Sequence, residues 1–185
     1  LRARGSEVVV ACADVADEQA LRRICAQIEA QRRPLRGVFH AAGLLRDAPL
    51  REQTPEHYRA LLDAKVRGAT NLDRLTRDLP LSFFIVCSSI ASLFGNRGQA
   101  NYAAANALLD ALARDRRSRG LAALSVSWGP WADVGMAARL GSAQRRLLER
   151  AGFRALQTKD ALSSLERLLE AEVPHASVSP ISWSS

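Results

Sequence analysis

The sequence predicts an α/β domain in which a parallel β-sheet is covered by helices on both faces. Short apolar runs rich in β-branched residues alternate along the chain with longer amphipathic segments, which is the order of β-α-β units. The strand-like runs are continuously apolar, as expected for strands that are buried on both faces. A chain of 185 residues is long enough for one such domain with its own core.

The N-terminal part predicts two strands separated by a helix. Residues 7–12 (EVVVAC) are apolar and β-branched, which predicts a buried strand. Residues 17–31 predict an amphipathic helix, because their apolar residues recur on one face. Residues 36–41 (RGVFHA) predict the second strand, and residues 43–53 a loop.

The middle of the chain contains a clear helix start. The tripeptide Thr54–Glu56 combines a capping hydroxyl, a proline in the first turn and an acid near the positive end of the helix dipole. We expect this helix to run to about Arg77. Residues 81–87 (LSFFIVC) predict a third strand, and residues 88–98 a loop.

The C-terminal part predicts a long helix and two further strands. Residues 99–118 form an alanine-rich helical segment, and Gly120 just beyond it is a typical stop. The remaining elements are an irregular segment at 129–141, helices at 142–149 and 158–171, and strands at 123–128 and 176–181.

The basic composition does not indicate nucleic-acid binding. The formal net charge is +7, and 24 of the 26 basic residues are arginine. The arginines are scattered over predicted helix faces and are not interleaved with aromatic residues, unlike those of nucleic-acid-binding surfaces. A docking surface for an acidic carrier protein fits the same charge better.

The cysteines and the apolar runs predict a protein of a reducing compartment. Cys12, Cys25 and Cys87 are odd in number, lack metal-ligand spacing and lie in apolar segments, so we expect buried free thiols and no metal site. No apolar run is long enough to span a bilayer, and residues 1–5 do not lead into a secretory apolar region. We therefore expect a cytoplasmic location. His40, which ends a predicted strand, is interpreted as a packed residue.

Polar residues at the strand ends form the strongest chemical signal. Ser88 and Ser89 end a predicted buried strand, and Tyr102 follows in the first turns of the next helix. Asn106 lies one helical turn further, on the same face as Tyr102. Lys65 lies on the preceding helix. Because ligands of parallel sheets bind beyond the carboxyl ends of the strands, we expect these side chains to share one crevice.

These residue types suit reduction of a carbonyl group. A reduced ketone becomes an alkoxide and needs a proton, and the ordinary pKa of a tyrosine, about 10, is too high for fast transfer at neutral pH. A nearby Lys65 ammonium would lower that pKa, and Ser89 would donate a hydrogen bond to the carbonyl oxygen. Asn106 would hold a water that relays protons. Each residue alone also has an ordinary structural interpretation, and the joint placement favours a site.

Three segments resemble a known family. The run SSIASLFGNRGQANYAAANALLDALA resembles the catalytic segment of the ketoreductase domains of modular polyketide synthases, and HAAGLLRDAPL and LSVSWGPWADVGMA resemble two further segments. The resemblance covers nearly the whole chain. It implies a Rossmann-like fold of the short-chain dehydrogenase type. It also implies NADPH-dependent reduction of a β-ketoacyl group on the phosphopantetheine arm of an acyl carrier protein, beside other synthase domains.

The resemblance also assigns roles to residues. In the family, serine and tyrosine are catalytic, and lysine and asparagine exchange the places that they hold in stand-alone short-chain dehydrogenases. The matching catalytic residues here are Lys65, Ser89, Tyr102 and Asn106. The implied cofactor contacts are Asp14 and Val15 at the adenine, Ala41, Ala42 and Gly43 along the cofactor, with Lys65 and Tyr102, and Gly129, Pro130 and Trp131 near the nicotinamide.

The stereochemical markers of the family are mixed. The type that forms a D-configured hydroxyl carries a Leu-Asp-Asp motif, of which the segment Leu45–Asp47 keeps only the second aspartate, Asp47. Phe94 stands where the opposite type has tryptophan. Asn101 matches the D-type, and Arg97 replaces its usual proline. The resemblance therefore favours a D-configured hydroxyl.

A dinucleotide-binding domain is expected to open with a strand, a Gly-rich turn and a helix, and this sequence has no such turn. Residues 7–12 resemble the third strand of the family sheet. We therefore expect residues 1–185 to be a single domain that is N-terminally incomplete, with exposed strand edges and weak NADPH binding on its own.

Two other functions remain open. A structural domain without catalytic activity would keep the fold and support its neighbours. A stand-alone fatty-acid ketoacyl reductase would place lysine four residues after the tyrosine, so Asn106 disfavours it.

Overall fold

A computed structural model describes residues 2–32, 34–136, 141, 146 and 148–182. Within them, four strands form one parallel sheet in which neighbours in sequence are neighbours in space. The strands are β1 (Gly37–His40), β2 (Phe83–Ser89), β3 (Leu124–Trp128) and β4 (His175–Val178). This architecture confirms the predicted α/β, Rossmann-like fold.

The helices of the described residues follow the predicted order. They are α1 (Glu18–Ala30), α2 (Pro55–Leu62), α3 (Gly68–Thr76), α4 (Ala91–Phe94), α5 (Ala100–Ser118) and α6 (Thr158–Glu170), with short 3₁₀ turns at Arg2–Arg4 and Leu50–Glu52. Asp17 caps α1 by accepting bonds from Gln19 and Ala20, and Thr54 caps α2 by accepting from the backbone N–H of His57. The predicted helix at 142–149 lies largely outside the described residues.

The helix predicted from Thr54 to about Arg77 is not uniform. A π-helical turn, Asp63–Arg67, joins α2 to α3 and carries Lys65. A π turn inserts one extra residue into the regular ladder and rotates the side chains that follow it. Residue propensities do not encode such a turn, so the sequence predicted an uninterrupted helix.

The sheet is covered on both faces, as predicted. On one face Phe84 and Val86 of β2 pack against Leu109 of α5 and Ala69 of α3. On the other face Ile85 packs among residues that also include Ala161 of α6. Side chains of a strand point alternately to the two faces, so the continuously apolar run of β2 serves both layers.

The prediction of a strand at residues 7–12 is wrong. This segment is extended but pairs with no strand of the described residues, and the exposed fractions of Val9 and Val10 are 70% and 83%. An apolar, β-branched run becomes a strand only when another strand satisfies its backbone groups. In the part of the chain that the structure describes, β1 is the end strand and its one partner is β2.

The burial of the cysteines also differs from the prediction. Cys12 is exposed on the extended segment at residues 7–12, and Cys25 and Cys87 are half-buried. The last strand begins one residue earlier than predicted and ends at Val178. No helix among the described residues is long and apolar enough to cross a membrane.

Candidate active site

The end of β2, the π turn and the start of α5 bring the four predicted catalytic residues together. Ser89 is the last residue of β2. Tyr102 and Asn106 lie in the first two turns of α5, and the π turn carries Lys65 to the same place. The Lys65 Nζ lies 5.5 Å from the centre of the Tyr102 ring. A single crevice beyond the carboxyl ends of the strands therefore holds the lysine and the tyrosine.

Lys65 is almost completely withdrawn from solvent, with 3% of its surface exposed. Its Nζ donates a hydrogen bond to the carbonyl oxygen of Cys87 at 3.0 Å. Burial lowers the pKa of Lys65 to about 8, against the opposing attraction of the acidic groups of Cys87 and Asp110. A lysine with this pKa exchanges its proton within the physiological range far more readily than a surface lysine.

Tyr102 is also largely buried, in a cluster with Leu61, Ala91 and Ala105. Burial raises the pKa of Tyr102, and the side chains of Asn106 and Ser89 partly oppose this rise. The expected lowering of its pKa by Lys65 is therefore not realised by these residues alone, because the low-dielectric surroundings disfavour the phenolate more strongly. The phenol is protonated at neutral pH and able to donate.

Ser89 and Asn106 border the tyrosine from two sides. The Ser89 Oγ accepts a hydrogen bond from the backbone N–H of Ala91 at 3.2 Å, which fixes the side chain at the start of α4. Asn106 is fully buried, and its Nδ2 donates to the Tyr102 carbonyl at 2.8 Å. Its Oδ1 has no hydrogen-bond donor among the described residues. A buried amide oxygen of this kind is suited to bind a polar ligand atom or water.

The loop after β1 is tied to the start of α5 by side-chain hydrogen bonds. Asn101, fully buried, donates to the carbonyl of Arg46 at 2.8 Å and accepts from the backbone N–H of Tyr102 at 2.8 Å. Gln99 donates to the Asp47 carboxylate at 2.8 Å. The predicted stereocontrol residues Asp47 and Asn101 therefore lie beside Tyr102 in this arrangement.

Phe94, the third predicted stereocontrol residue, lies at the end of α4. Half of its surface is exposed (53%), and its ring packs edge-on against Phe153 with the ring centres 5.5 Å apart. The structure therefore gives Phe94 an aromatic contact, and the hydrogen bonds that join Asp47 and Asn101 to the start of α5 do not involve it.

Comparison with known proteins identifies the family. A family model described as the KR domain matches residues 1–133. The chain belongs to the ketoreductase domains of polyketide synthases. The ketoreductases of this family are oxidoreductases of the short-chain dehydrogenase type, and they bind a nicotinamide cofactor.

The relatives of this ketoreductase domain are large synthases. It is 43% identical over 92% of its length to the phenolphthiocerol synthesis polyketide synthase type I Pks15/1 of Mycobacterium marinum, and spans 8% of that protein. It is 42% identical over 93% of its length to Pks1 of Mycobacterium tuberculosis, described as putative inactive, and spans 11% of it. Among solved structures, that of A-type ketoreductases from a modular polyketide synthase superposes with a TM-score of 0.92 at 42% identity, covering 98% of this chain and 38% of the other.

The carboxyl end of β1 fits a nicotinamide cofactor. Ala41 and Gly43 are exposed there, and a Cβ added to Gly43 would lie 3.4 Å from the Lys65 Nζ. Small residues at these positions leave the approach to Lys65 open. Ala42, between them, is half-buried.

The predicted adenine contacts lie on the turn before α1. Asp14 is exposed, and its carboxylate accepts the backbone N–H of Ala16 at 2.9 Å, an Asx turn. Val15 packs on Gly68, where an added Cβ would lie 2.6 Å from a methyl group of Val15. Asp14 is therefore open to a ligand, while the side chain of Val15 serves packing.

The segment after β3 has structural contacts of its own. A Cβ on Gly129 would lie 2.3 Å from the Ser179 Oγ, so only glycine allows this approach. The Pro130 carbonyl accepts a bond from Leu156 at 2.7 Å. The ring of Trp131 packs edge-on against Trp128 with the ring centres 5.2 Å apart. These contacts hold the segment at the sheet end where the family resemblance assigns the nicotinamide.

Sequence reasoning missed a buried carboxylate behind the site. Asp110 of α5 is 3% exposed and accepts hydrogen bonds from Ser125 at 2.6 Å and from Ser92 at 2.8 Å. Ser125 and Ser127 are the two β3 residues that face α5, where an apolar strand would carry aliphatic side chains. The sequence did contain a signal for this carboxylate: an aspartate on the apolar face of a predicted helix, and serines in a predicted strand.

Proposed function

We propose that this domain reduces the β-keto group of an acyl thioester on an acyl carrier protein to a β-hydroxyl, with NADPH as the reductant. The proposal is supported above all by the proximity of the Lys65 Nζ, buried beside the ring of Tyr102 at 5.5 Å from its centre. Ser89 and Asn106 border the same tyrosine.

The chain's own residues perform the proton chemistry in this proposal. Ser89 donates a hydrogen bond to the ketone oxygen and so orients and polarises the carbonyl. Tyr102, kept protonated by burial, gives its proton to the oxygen as negative charge develops there. Lys65 stabilises the resulting phenolate and, with a pKa near 8, replaces the lost proton.

In this proposal the cofactor and the substrate bind at the same edge of the sheet. Ala41–Gly43, Lys65 and the segment Gly129–Trp131 would hold the nicotinamide, and Asp14 would border the adenine. When bound, NADPH supplies the hydride that reduces the ketone carbon. The acyl chain on its phosphopantetheine arm would enter past the loop that carries Asp47.

The expected product carries a D-configured hydroxyl. The support is the fixed position of Asp47 and Asn101, which hydrogen bonds hold against the start of α5 next to Tyr102. Fixed side chains beside the proton donor limit the orientations in which the ketone can bind, and therefore which of its two faces is reduced.

The experiment compares Tyr102→Phe with the wild-type protein on a model β-ketothioester. NADPH oxidation is followed spectroscopically, and the product configuration by chiral chromatography. We expect the wild type to form the D-hydroxy thioester and the variant to lose the activity, because phenylalanine keeps the ring packing but has no proton to give. The assay is run on the 185-residue chain and on any longer polypeptide that contains it.

A second candidate is a ketoreductase-like domain without catalytic activity. The 42% identity to Pks1, which is described as putative inactive, favours it. This candidate predicts equal and negligible NADPH oxidation by the wild type and Tyr102→Phe in every polypeptide tested, with both proteins folded by circular dichroism. That outcome would overturn the reductase proposal.

A further inference from the structure

His40 is the last residue of β1 and points away from water, with 3% of its surface exposed. Its Nε2 lies 2.9 Å from the carbonyl oxygen of Lys65, 25 positions later in the chain. A carbonyl oxygen only accepts, so Nε2 must carry the proton and donate it. Burial lowers the pKa of His40, which keeps the ring neutral in the Nε2–H form at neutral pH.

The carbonyl that His40 holds belongs to an irregular turn. Lys65 is the central residue of the π turn Asp63–Arg67, and the backbone N–H of Gly68 bonds to the carbonyls of both Asp63 and Lys65. The wider π turn departs from the regular spacing of carbonyls and amides along a helix. A donor from outside the helix therefore helps to hold the Lys65 peptide in place.

Packing fixes the imidazole as well as its hydrogen bond. A Cβ added to Gly68 would lie 3.2 Å from the Cε1 of His40 and 2.6 Å from a methyl group of Val15. The absence of a side chain at Gly68 thus lets the ring approach the helix. The end of β1, the π turn and the turn before α1 meet at this point.

The side chain of Lys65 depends on where its backbone is held. Its ammonium is buried, has the Cys87 carbonyl as its acceptor at 3.0 Å and lies against the Tyr102 ring. Its charge interacts with the acidic groups of Cys87 and Asp110, and also with His40. A flexible lysine in such surroundings would move its charge to water if the main chain were free to rotate.

We propose that His40 is a positioning residue for Lys65: its ring N–H holds the carbonyl in the π turn and thereby directs the lysine ammonium to the Cys87 carbonyl and the Tyr102 ring. The inference deepens the proposed function, because the positioned lysine is one of the residues to which the reductase proposal gives a role. It does not make His40 catalytic, since the donor nitrogen is occupied by the backbone.

The test uses the fact that the chain contains only two lysines, Lys65 and Lys159. Lysine-selective isotope labelling gives two side-chain signals, and Lys159→Arg assigns them. The protein is titrated as the wild type, as His40→Leu, which removes the donor, and as His40→Gln, which keeps a side-chain N–H of similar reach. Thr76→Val is the matched control, because it also removes a buried hydrogen bond from a side chain to a backbone carbonyl. In the wild type the Thr76 Oγ1 donates to the Leu72 carbonyl oxygen at 2.7 Å, within α3.

The expected result separates His40 from a general loss of stability. The Lys65 signal titrates near pH 8 in the wild type, in His40→Gln and in Thr76→Val. In His40→Leu it moves towards the ordinary lysine pKa of about 10.4, as the ammonium turns to solvent. The kcat of the reductase falls by on the order of tenfold to a hundredfold in His40→Leu, while KM changes little.

Three outcomes overturn the inference. The first is a Lys65 titration in folded His40→Leu that equals the wild type, and the second is an equal displacement of that titration in Thr76→Val. The third concerns the wild type alone and does not require a variant to fold: a ring nitrogen spectrum showing the Nδ1–H form of His40 contradicts the bond on which the inference depends. If the wild type lacks reductase activity but Lys65 responds as expected, the proposed function fails and the inference stands.

Discussion

At the scale of single residues, Lys65 shows how the placement proposed for catalysis conflicts with stability. Its ammonium has given up most of its hydration and has one carbonyl acceptor, at 3.0 Å. The lowered pKa of about 8 means that the folded protein binds this proton more weakly than the unfolded chain does. The charged form of the residue therefore destabilises the fold.

The sign of this effect gives a test by pH. Between pH 8 and about 10.4 the unfolded chain keeps a proton on Lys65 that the folded protein releases, so the lysine's destabilising contribution is full below pH 8 and vanishes as the pH rises through that range. We expect Lys65→Met to raise the free energy of unfolding near pH 7, by up to about 3 kcal/mol. The gain should shrink towards pH 10. Denaturant unfolding of both proteins across this range measures it.

Lys159→Met provides the matched control, since Lys159 is exposed and lies on α6. Its substitution should leave the free energy of unfolding and its pH dependence unchanged. A Lys65→Met protein that is less stable than the wild type at pH 7 would show that the bond to Cys87 outweighs the desolvation of the charge.

At the scale of secondary-structure elements, a buried ion pair joins the two helices on one face of the sheet. Arg116 of α5, 1% exposed, donates to the Asp73 carboxylate of α3. The more exposed Arg77 and Arg119 also form ion pairs with this carboxylate. The Arg116 guanidinium also lies 4.0 Å from the centre of the Phe84 ring. The pair thus links α3, which follows the π turn of Lys65, to α5 and β2, which carry Tyr102 and Ser89.

Removing one partner should leave a buried, uncompensated charge. We expect Asp73→Asn to lower the free energy of unfolding by about 3–5 kcal/mol, because Arg116 loses its counter-charge while remaining buried. The exposed pair of Arg59 and Glu56 is the control, and Glu56→Gln should change stability little. Thermal unfolding followed by circular dichroism compares the variants. Equal midpoints for Asp73→Asn and Glu56→Gln would contradict a structural role for the pair.

At the scale of the whole molecule, burial is distributed unevenly over the sheet. β2 and β3 lie between other strands and are covered on both faces, whereas residues 7–12 are extended and pair with no strand of the described residues. We expect hydrogen exchange to be slowest in β2 and β3 and fast throughout residues 7–12. Mass spectrometry of peptic peptides measures both. Protection of residues 7–12 equal to that of β2 would show that this segment is paired in solution.

Most of the fold could be predicted from local sequence because its signals are local. The cap Thr54, the stop at Gly120 and the apolar run of β2 each act within a few residues. Thr54 caps α2 as predicted, and β2 lies within two residues of its predicted bounds. The strand at residues 7–12 failed for the opposite reason. A strand needs a neighbour, and no local pattern reports whether one is present.

The proximity of the four site residues also followed from the sequence, through the rule that strand ends of a parallel sheet meet at one edge. The sequence could not predict how the structure shifts the pKa values of these side chains. The expectation that Lys65 lowers the pKa of Tyr102 depended on charge alone, and burial raises that pKa instead. Burial is a property of everything packed around a side chain, so it appears only with the tertiary structure.

The sequence by itself determined the order of strands and helices from residue 17 onward and the residue types that meet at the sheet edge, since these depend on periodicity, capping and motif spacing. The resemblance of three segments indicated the family. Only the tertiary structure decided the π turn at Lys65, the bond from His40 to its carbonyl and the buried carboxylates Asp73 and Asp110. Each of these depends on contacts between residues far apart in the chain, whose free energies exist only once the core has closed around them.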